Sequence, residues 1–427
     1  MAAVPGPAAA LERPAMVQLL RWCLLAAVPS GLLVAVTAQI STDIAAIPLV
    51  WIVPLSLYLL SFVVVFGRWS ERAHGAVAAI TPWALLLLVG LMAIWPETNI
   101  DGEGFLAELG LHLAVFMLVA LMCHGELARR RPHADDLTVF YLAMSFGGML
   151  GGAFASLVAP ALFNWIAEYP ILLVAAALCR PGGMSQHWAN KPVVLWFAAA
   201  AALVVLAPGL AGYKGLGAWP TLATAVYAGL VVAAAVGWRS VWLFAGALAL
   251  LLAAARLYPP EGASRVTFRS FFGVHKIHDS EDGQHRLLQH GTTIHGAQRI
   301  RDEEGRPLTG PPEPLTYYFR GSPMHEVIEA VRAARKGPVR IGVIGLGTGS
   351  IACLADARDD VRFFEIDATV IAIARNPRYF TFMSGCRPQA PIVVGDARLT
   401  LAREPDGAFD VLFVDAFASD AVPTHLL

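Results

Sequence analysis

Between residues 341 and 417 four short apolar runs each end in residues able to hold or transform a ligand. IGVIGLGTGS ends in Gly345, Gly347 and Gly349; VRFFEID carries Glu365; PIVVGDA carries Asp396 and Ala397; FDVLFVDAF carries Asp415. Glycines in alternate positions let a chain turn tightly and approach a ligand closely. The segment after them, Ser350 to Ala357, reads as a helix whose N-terminus points at that ligand. Glu365 follows the first glycine by about 20 residues, where an acid accepts from both ribose hydroxyls and repels a 2′-phosphate. Asp396, with Ala397 beside it, is placed to read an adenine amino group, and Asp415 is the acid nearest the reacting atoms. Neither Lys-Ser nor Lys-Thr follows the glycines, which excludes an ATP-type phosphate loop.

Positioning these groups requires a strand under each. Continuous apolar strands separated by helix-length segments predict a parallel, doubly wound, Rossmann-like α/β sheet over 339–427. Ligands of such sheets sit at the carboxyl ends of the strands, by the switch point. Upstream, 259–338 reads as a small antiparallel β region and a linker helix. Asp282-Gly283 is a hairpin signal, and Ser322-Pro323 opens the helix SPMHEVIEAVRAARK. His275, His278, His285, His290 and His295 match no standard ligand spacing, so no metal is expected.

The first 258 residues have a different character. The 427-residue chain is 57% hydrophobic and 15% charged, below the quarter of charged residues usual in soluble chains. The charge it has is concentrated after residue 258. Residues 1–15 read as a disordered Ala/Pro-rich tail and 16–258 as a multi-span helical membrane domain. Spans are expected near 17–39, 44–66, 76–95, 108–125, 137–162, 164–179, 192–210, 219–237 and 240–257, eight or nine in all. Arg68, Arg72 and Arg129 to Arg131 alternate with the acidic loop PETNIDGEG, which puts the N-terminus and the arginine loops in the cytoplasm. An even count then leaves the C-terminal domain cytoplasmic, beside the nucleotide pool, and that count is preferred. In FGGMLGG, Gly147/Gly151 and Gly148/Gly152 have the spacing that lets helix backbones approach. Asp43, His124 and Glu126 are ionisable groups near membrane depth. The five cysteines have no metal-ligand spacing, and neither a disulfide framework nor a zinc site is expected. A net charge of -1 and the lack of a basic stripe speak against nucleic acid.

Together the strand-end motifs and the stretches TDIAAIPLVWIVPLSLYLLSF, CHGELARRRP, FYLAMSFGGMLGG, SFFGVHKI, HGTTIHGAQ and PLTYY resemble bacterial membrane proteins in which a multi-span region is fused to a spermidine synthase-like domain. That family lies within the S-adenosylmethionine-dependent transferase superfamily. The resemblance implies a multi-pass protein of the bacterial inner membrane, in contact with the lipid bilayer and compatible with a homo-oligomer. It implies aminopropyl transfer from decarboxylated S-adenosylmethionine to a polyamine or other small amine, with Asp415 as general base. Glu365, Asp396 and Gln298 correspond to cofactor-site residues, and His325 and Asp420 to substrate-side positions. Thr348 stands where the family has an acid, Met324 where it has a tyrosine, and Asp420 is more distant from Asp415 than its counterpart. These departures bring in two other readings: nucleoside sensing for a membrane transporter without turnover, and S-adenosylmethionine-dependent methyl transfer. The superfamily sheet has seven strands, so the sequence reads as truncated after the fourth.

Overall fold

The computed structural model describes residues 14–41, 49, 51–67, 71–94, 104–181, 196, 199, 220–257, 265–291 and 293–416. Its first half is helical: α1 (Met16–Gln39), α2 (Ile52–Phe66), α3 (Glu71–Ile94), α4 (Phe105–Arg129), α5 (Leu137–Ala153), α6 (Ala159–Leu162), α7 (Glu168–Leu178), α8 (Pro220–Val236) and α9 (Val241–Leu257). A π-helical turn, Phe154–Val158, carries α5 into α6. Among the described residues four helices are long and apolar enough to cross a membrane: Met16–Gln39, Glu71–Ala93, Leu106–Arg129 and Ala134–Leu162. The chain is therefore read as a membrane protein. Four shorter apolar helices accompany them. Asp43 and the expected span 192–210 fall outside the described residues, apart from two isolated positions.

Glycine sets the closest helix contact. A Cβ on Gly147 would meet the backbone of Cys23, and one on Gly151 the backbone of Ala27, so α5 lies directly against α1. Gly148 and Gly152 instead face Ser30, with nothing nearer than 3.8 Å. Ser30 Oγ donates to the Gly148 carbonyl at 2.8 Å. One of the two glycine pairs is therefore the packing seam, and the other leaves room for a hydroxyl.

Beyond the helices, β1 (Arg265–Ser270), β2 (Gly273–Asp279), β3 (His285–His290) and β4 (Thr293–Arg299) form an antiparallel sheet in sequence order. Asp282-Gly283 turns β2 into β3 as its residues require, with Gly283 at φ 67°. Helix α10 (Pro323–Arg335) starts where expected: Ser322 accepts from the His325 amide. Four strands then pair in parallel: β5 (Arg340–Ile344), β6 (Asp360–Glu365), β7 (Ile392–Val394) and β8 (Val411–Val414), in the order β7-β6-β5-β8. The order reverses between β5 and β8, so a crevice opens at their carboxyl ends. Ile341, Val343, Val361, Phe363, Val411 and Phe413 form the sheet's core. Ile277 and Leu288 pack with Ile373 of α11 (Ala368–Arg375), Phe380 and Phe382, seating the antiparallel sheet on the parallel one.

Two expectations change. The segment after the glycines is a single 3-10 turn, Ser350–Cys353, and not a helix to Ala357. Asp359, which accepts from the amides of Asp356 and Val339, ends it. Cys353 and Cys386, expected to be unpaired, are disulfide-bonded across 33 residues with Cα atoms 5.2 Å apart. No spacing motif announces that pair, because the fold alone brings the turn and α12 (Phe382–Cys386) together.

Candidate functional site

A cavity of about 210 Å³ opens at the carboxyl ends of β5, β6, β7 and β8. Its wall includes Gly345, Gly347, Glu365, Asp396, Ala397 and Asp415. The strand-end residues singled out by sequence therefore share one site. Gly349 stands behind it, against Met383.

The glycine loop has its shape for local reasons. Gly345, Gly347 and Gly349 have φ of 92°, 52° and 81°, where a Cβ is strained. A Cβ at Gly345 would collide with the Asp415 carbonyl, and one at Gly347 would lie 2.8 Å from the His295 carbonyl. Glu365 fixes the loop from below. Its Oε2 accepts from the Leu346 amide at 2.8 Å and its Oε1 from the Asp367 amide at 2.9 Å. Burial pushes the Glu365 carboxyl up, and those two amides pull it back. Each oxygen keeps a further lone pair for a ligand hydroxyl. Asp396 caps α13 (Ala397–Leu401) by accepting from the Arg398 amide at 2.8 Å, which orients its carboxylate at the cavity edge.

Asp415 follows the last residue of β8. Burial pushes its carboxyl up to about 7, and the hydrogen bond from Tyr317 works weakly the other way. The Tyr317 hydroxyl is 3.5 Å from Oδ2. Its own ionisation is displaced upward by burial and by the Asp415 charge, so it stays a donor. A carboxyl titrating near 7 can accept a proton at neutral pH and release it again.

The opposite wall belongs to the antiparallel sheet. Phe272, His275, His290 and His295 line it, with Asp367 between the two halves. Asp367 Oδ2 accepts from Ser270 at 2.5 Å and lies 2.8 Å from His275 Nε2. Burial opposes its ionisation, but the His275 and Ser270 hydrogen bonds prevail and hold it at about 2. His290 is pushed down to about 4, first by burial and then by His275 and His295. It is neutral at physiological pH. Sequence reasoning considered these histidines only as metal ligands and passed over Tyr317 and Asp367. Their pairing across β2, β3 and β4 (His275 opposite His290, His290 opposite Thr293) is the signal that gathers them.

The remaining expected residues lie elsewhere. Gln298 has its amide engaged by Thr381, donating to Oγ1 and accepting from the backbone N–H, both at 2.8 Å. His325 accepts from the Gly321 amide near the start of α10. Neither lines the cavity. Thr348 is buried against Gly296 with no hydrogen-bond partner for its hydroxyl among the described residues, so it too stands outside the wall. Asp420 lies outside the described residues. Among the described residues no cluster of three or more His, Cys, Asp or Glu has the arrangement of a metal site.

Compared with known proteins, the chain matches no protein-family model, no curated protein and no solved structure.

Proposed function

We propose that the α/β region is a Rossmann-like adenosyl-binding domain of the spermidine synthase kind, carried by a multi-span helical domain in a bacterial membrane. It would transfer an aminopropyl group from decarboxylated S-adenosylmethionine to a small diamine. The carrying observation is Asp415: a half-buried carboxyl titrating near 7, with the Tyr317 hydroxyl 3.5 Å away, facing the same cavity as the glycine loop, Glu365 and Asp396. In this reading Glu365 accepts from the ribose hydroxyls and Asp396 reads the adenine amino group. Asp415 takes the proton of the attacking amine. The amine lone pair forms the new C–N bond as the C–S bond breaks, and its electrons return to sulfur, so a thioether leaves. The domain's part is positioning plus one base.

Product formation from putrescine and the decarboxylated donor by the full chain in detergent tests this reading. Asp415→Asn should lower the rate by about 10²–10⁴ and leave calorimetric binding of methylthioadenosine intact. The wild-type rate should rise with pH through about 7. Binding of adenosyl compounds with no product would sink the transferase reading, and no binding would sink the nucleoside reading as well.

Sensing without turnover is a second reading, supported by one contact path. Asp367, in the cavity wall, is bonded to Ser270, and the adjacent Arg269 is ion-paired with Glu168 of α7. A ligand that moved Asp367 would therefore act on the membrane helices. Methyl transfer from S-adenosylmethionine is the outcome if that donor, and not its decarboxylated form, yields product.

A further inference from the structure

We infer that the cavity-bearing domain sits on the membrane face opposite the arginine loops, which is the extracytoplasmic face, and draws its ligand from that side. The helix Ala134–Leu162 separates the two ends. It has 29 residues, roughly 40 Å at 1.5 Å per residue, against about 30 Å of hydrocarbon. Arg129, Arg130 and Arg131 immediately precede it. The corner that follows it holds the soluble domain. Arg269 of β1 donates there to the Trp165 carbonyl at 2.7 Å and to both Glu168 oxygens at 2.9 and 2.7 Å. Asn164 Nδ2 donates to the Thr267 carbonyl at 3.1 Å, and Arg256, near the end of α9, lies over the Trp165 ring.

Helix α1 confirms the direction. Gly147 of α5 faces Cys23 and Gly151 faces Ala27, so the two helices run parallel and α1 begins at the arginine end. Arg21, near its start, is 3.6 Å from Glu126, which Arg130 also meets. Charge is divided accordingly. Arg21, Arg72 and Arg129 to Arg131 lie at one end, whereas the connections 40–51, 95–104 and 163–167 contain neither Lys nor Arg. Short loops rich in arginine stay in the cytoplasm. The placement follows from where the ends lie and needs no count of spans. It reverses the cytosolic location preferred from sequence.

The Cys353–Cys386 disulfide is independent support. Disulfides persist in oxidising compartments and are rare in the cytosol. Both cysteines belong to the docked domain, while Cys23, Cys123 and Cys179 in the helices are free.

The inference does not depend on the proposed chemistry, but it restricts it: donor and acceptor must be present on, or delivered to, the outer face. The test is labelling of the full chain in intact cells with a membrane-impermeant maleimide, with adducts located by mass spectrometry. Glu303→Cys and Glu281→Cys place exposed thiols on the soluble domain, and His133→Cys places one in the arginine loop. Labelling of the first two in intact cells, with His133→Cys labelled only after lysis, is expected. The reverse pattern, or equal labelling of both regions, overturns the inference. Alkylation of Cys353 and Cys386 without reductant overturns the oxidising-compartment part of it. Binding and product assays on solubilised protein are unaffected by the outcome, so failure here is distinguishable from failure of the transferase reading.

Discussion

The buried carboxylates among the membrane helices and the carboxyls at the strand ends are handled in opposite ways. Among the described residues of the helical half each is met by arginine. Glu126 is approached by Arg130 at 2.6 Å, Arg129 and His74 at 3.4 Å and Arg21 at 3.6 Å, and Glu168 takes both arms of the Arg269 fork. At the strand ends Glu365 is met by two backbone amides and Asp415 by a phenol. A charge matched by a fork of donors is fixed in one state and serves architecture. A carboxyl met by neutral donors in a partly desolvated cavity keeps both protonation states within reach, as proton transfer requires.

Breaking a matched pair should have the largest effect. Arg269→Met leaves Glu168, 1% exposed, as an uncompensated charge, and should cost about 3–5 kcal/mol. Arg269→Met with Glu168→Gln should recover most of that loss, because the charge needing a partner is gone. Denaturant unfolding of the full chain in micelles reads both. A single variant as stable as wild type would mean that the pair does not fasten the domains, and the contrast between the halves would fail.

The glycines divide in the same way, and sharpen the comparison with smaller effects. Gly151→Ala gains about 1 kcal/mol of helix propensity but drives a methyl into the Ala27 backbone. A net loss of about 1–3 kcal/mol is expected. Gly148→Ala, one turn away with Ser30 no nearer than 3.8 Å, should be neutral or slightly stabilising. In the loop, Gly345→Ala should cost about 1–2 kcal/mol through its left-handed backbone alone, and should also weaken the adenosyl binding proposed above. Equal effects of Gly148→Ala and Gly151→Ala would remove the seam from α5.

Legibility followed the range of the interaction. Glycines, strand-end acids and the Ser322 cap were readable because each is a local pattern in a stretch of a few residues. The parallel strands were readable because runs such as VRIGVIG are apolar on both faces. The second wall was not. His275, His290 and Asp367 meet only after three antiparallel strands pair and dock on the parallel sheet. Tyr317 is 98 residues from Asp415, and the Cys353–Cys386 bond depends on where α12 packs. Gln298, which the resemblance assigns to a cofactor site, has its amide engaged by Thr381, 83 residues away, a pairing that no local pattern announces. The side of the membrane on which the domain sits was not legible for a related reason: hydropathy yields a span count, in which an error of one changes the side, whereas Arg269 ties the domain to one particular corner of the helices.

The smallest expected effect is a difference in sign between two carboxyls of one cavity. An unfolded Asp titrates near 3.9. Asp415, raised to about 7 by burial, keeps its proton in the folded protein over a range in which the unfolded chain has lost it. Its contribution to stability therefore falls as pH rises from about 4 to about 7 and is constant above that. Asp367, held at about 2 against its burial by His275 and Ser270, does the opposite: its contribution is complete above about 4 and is lost as pH falls through 2. Asp415→Asn should therefore match wild type near pH 4 and exceed it at pH 8 by on the order of 1–2 kcal/mol, after allowance for the partial exposure of the site. Asp367→Asn should be less stable than wild type at pH 8 and converge with it in acid. Unfolding of the three proteins across pH 3–8 reads both signs. A loss of stability at pH 8 in Asp415→Asn would place its carboxylate among the matched charges and remove the physical basis for treating it as the base.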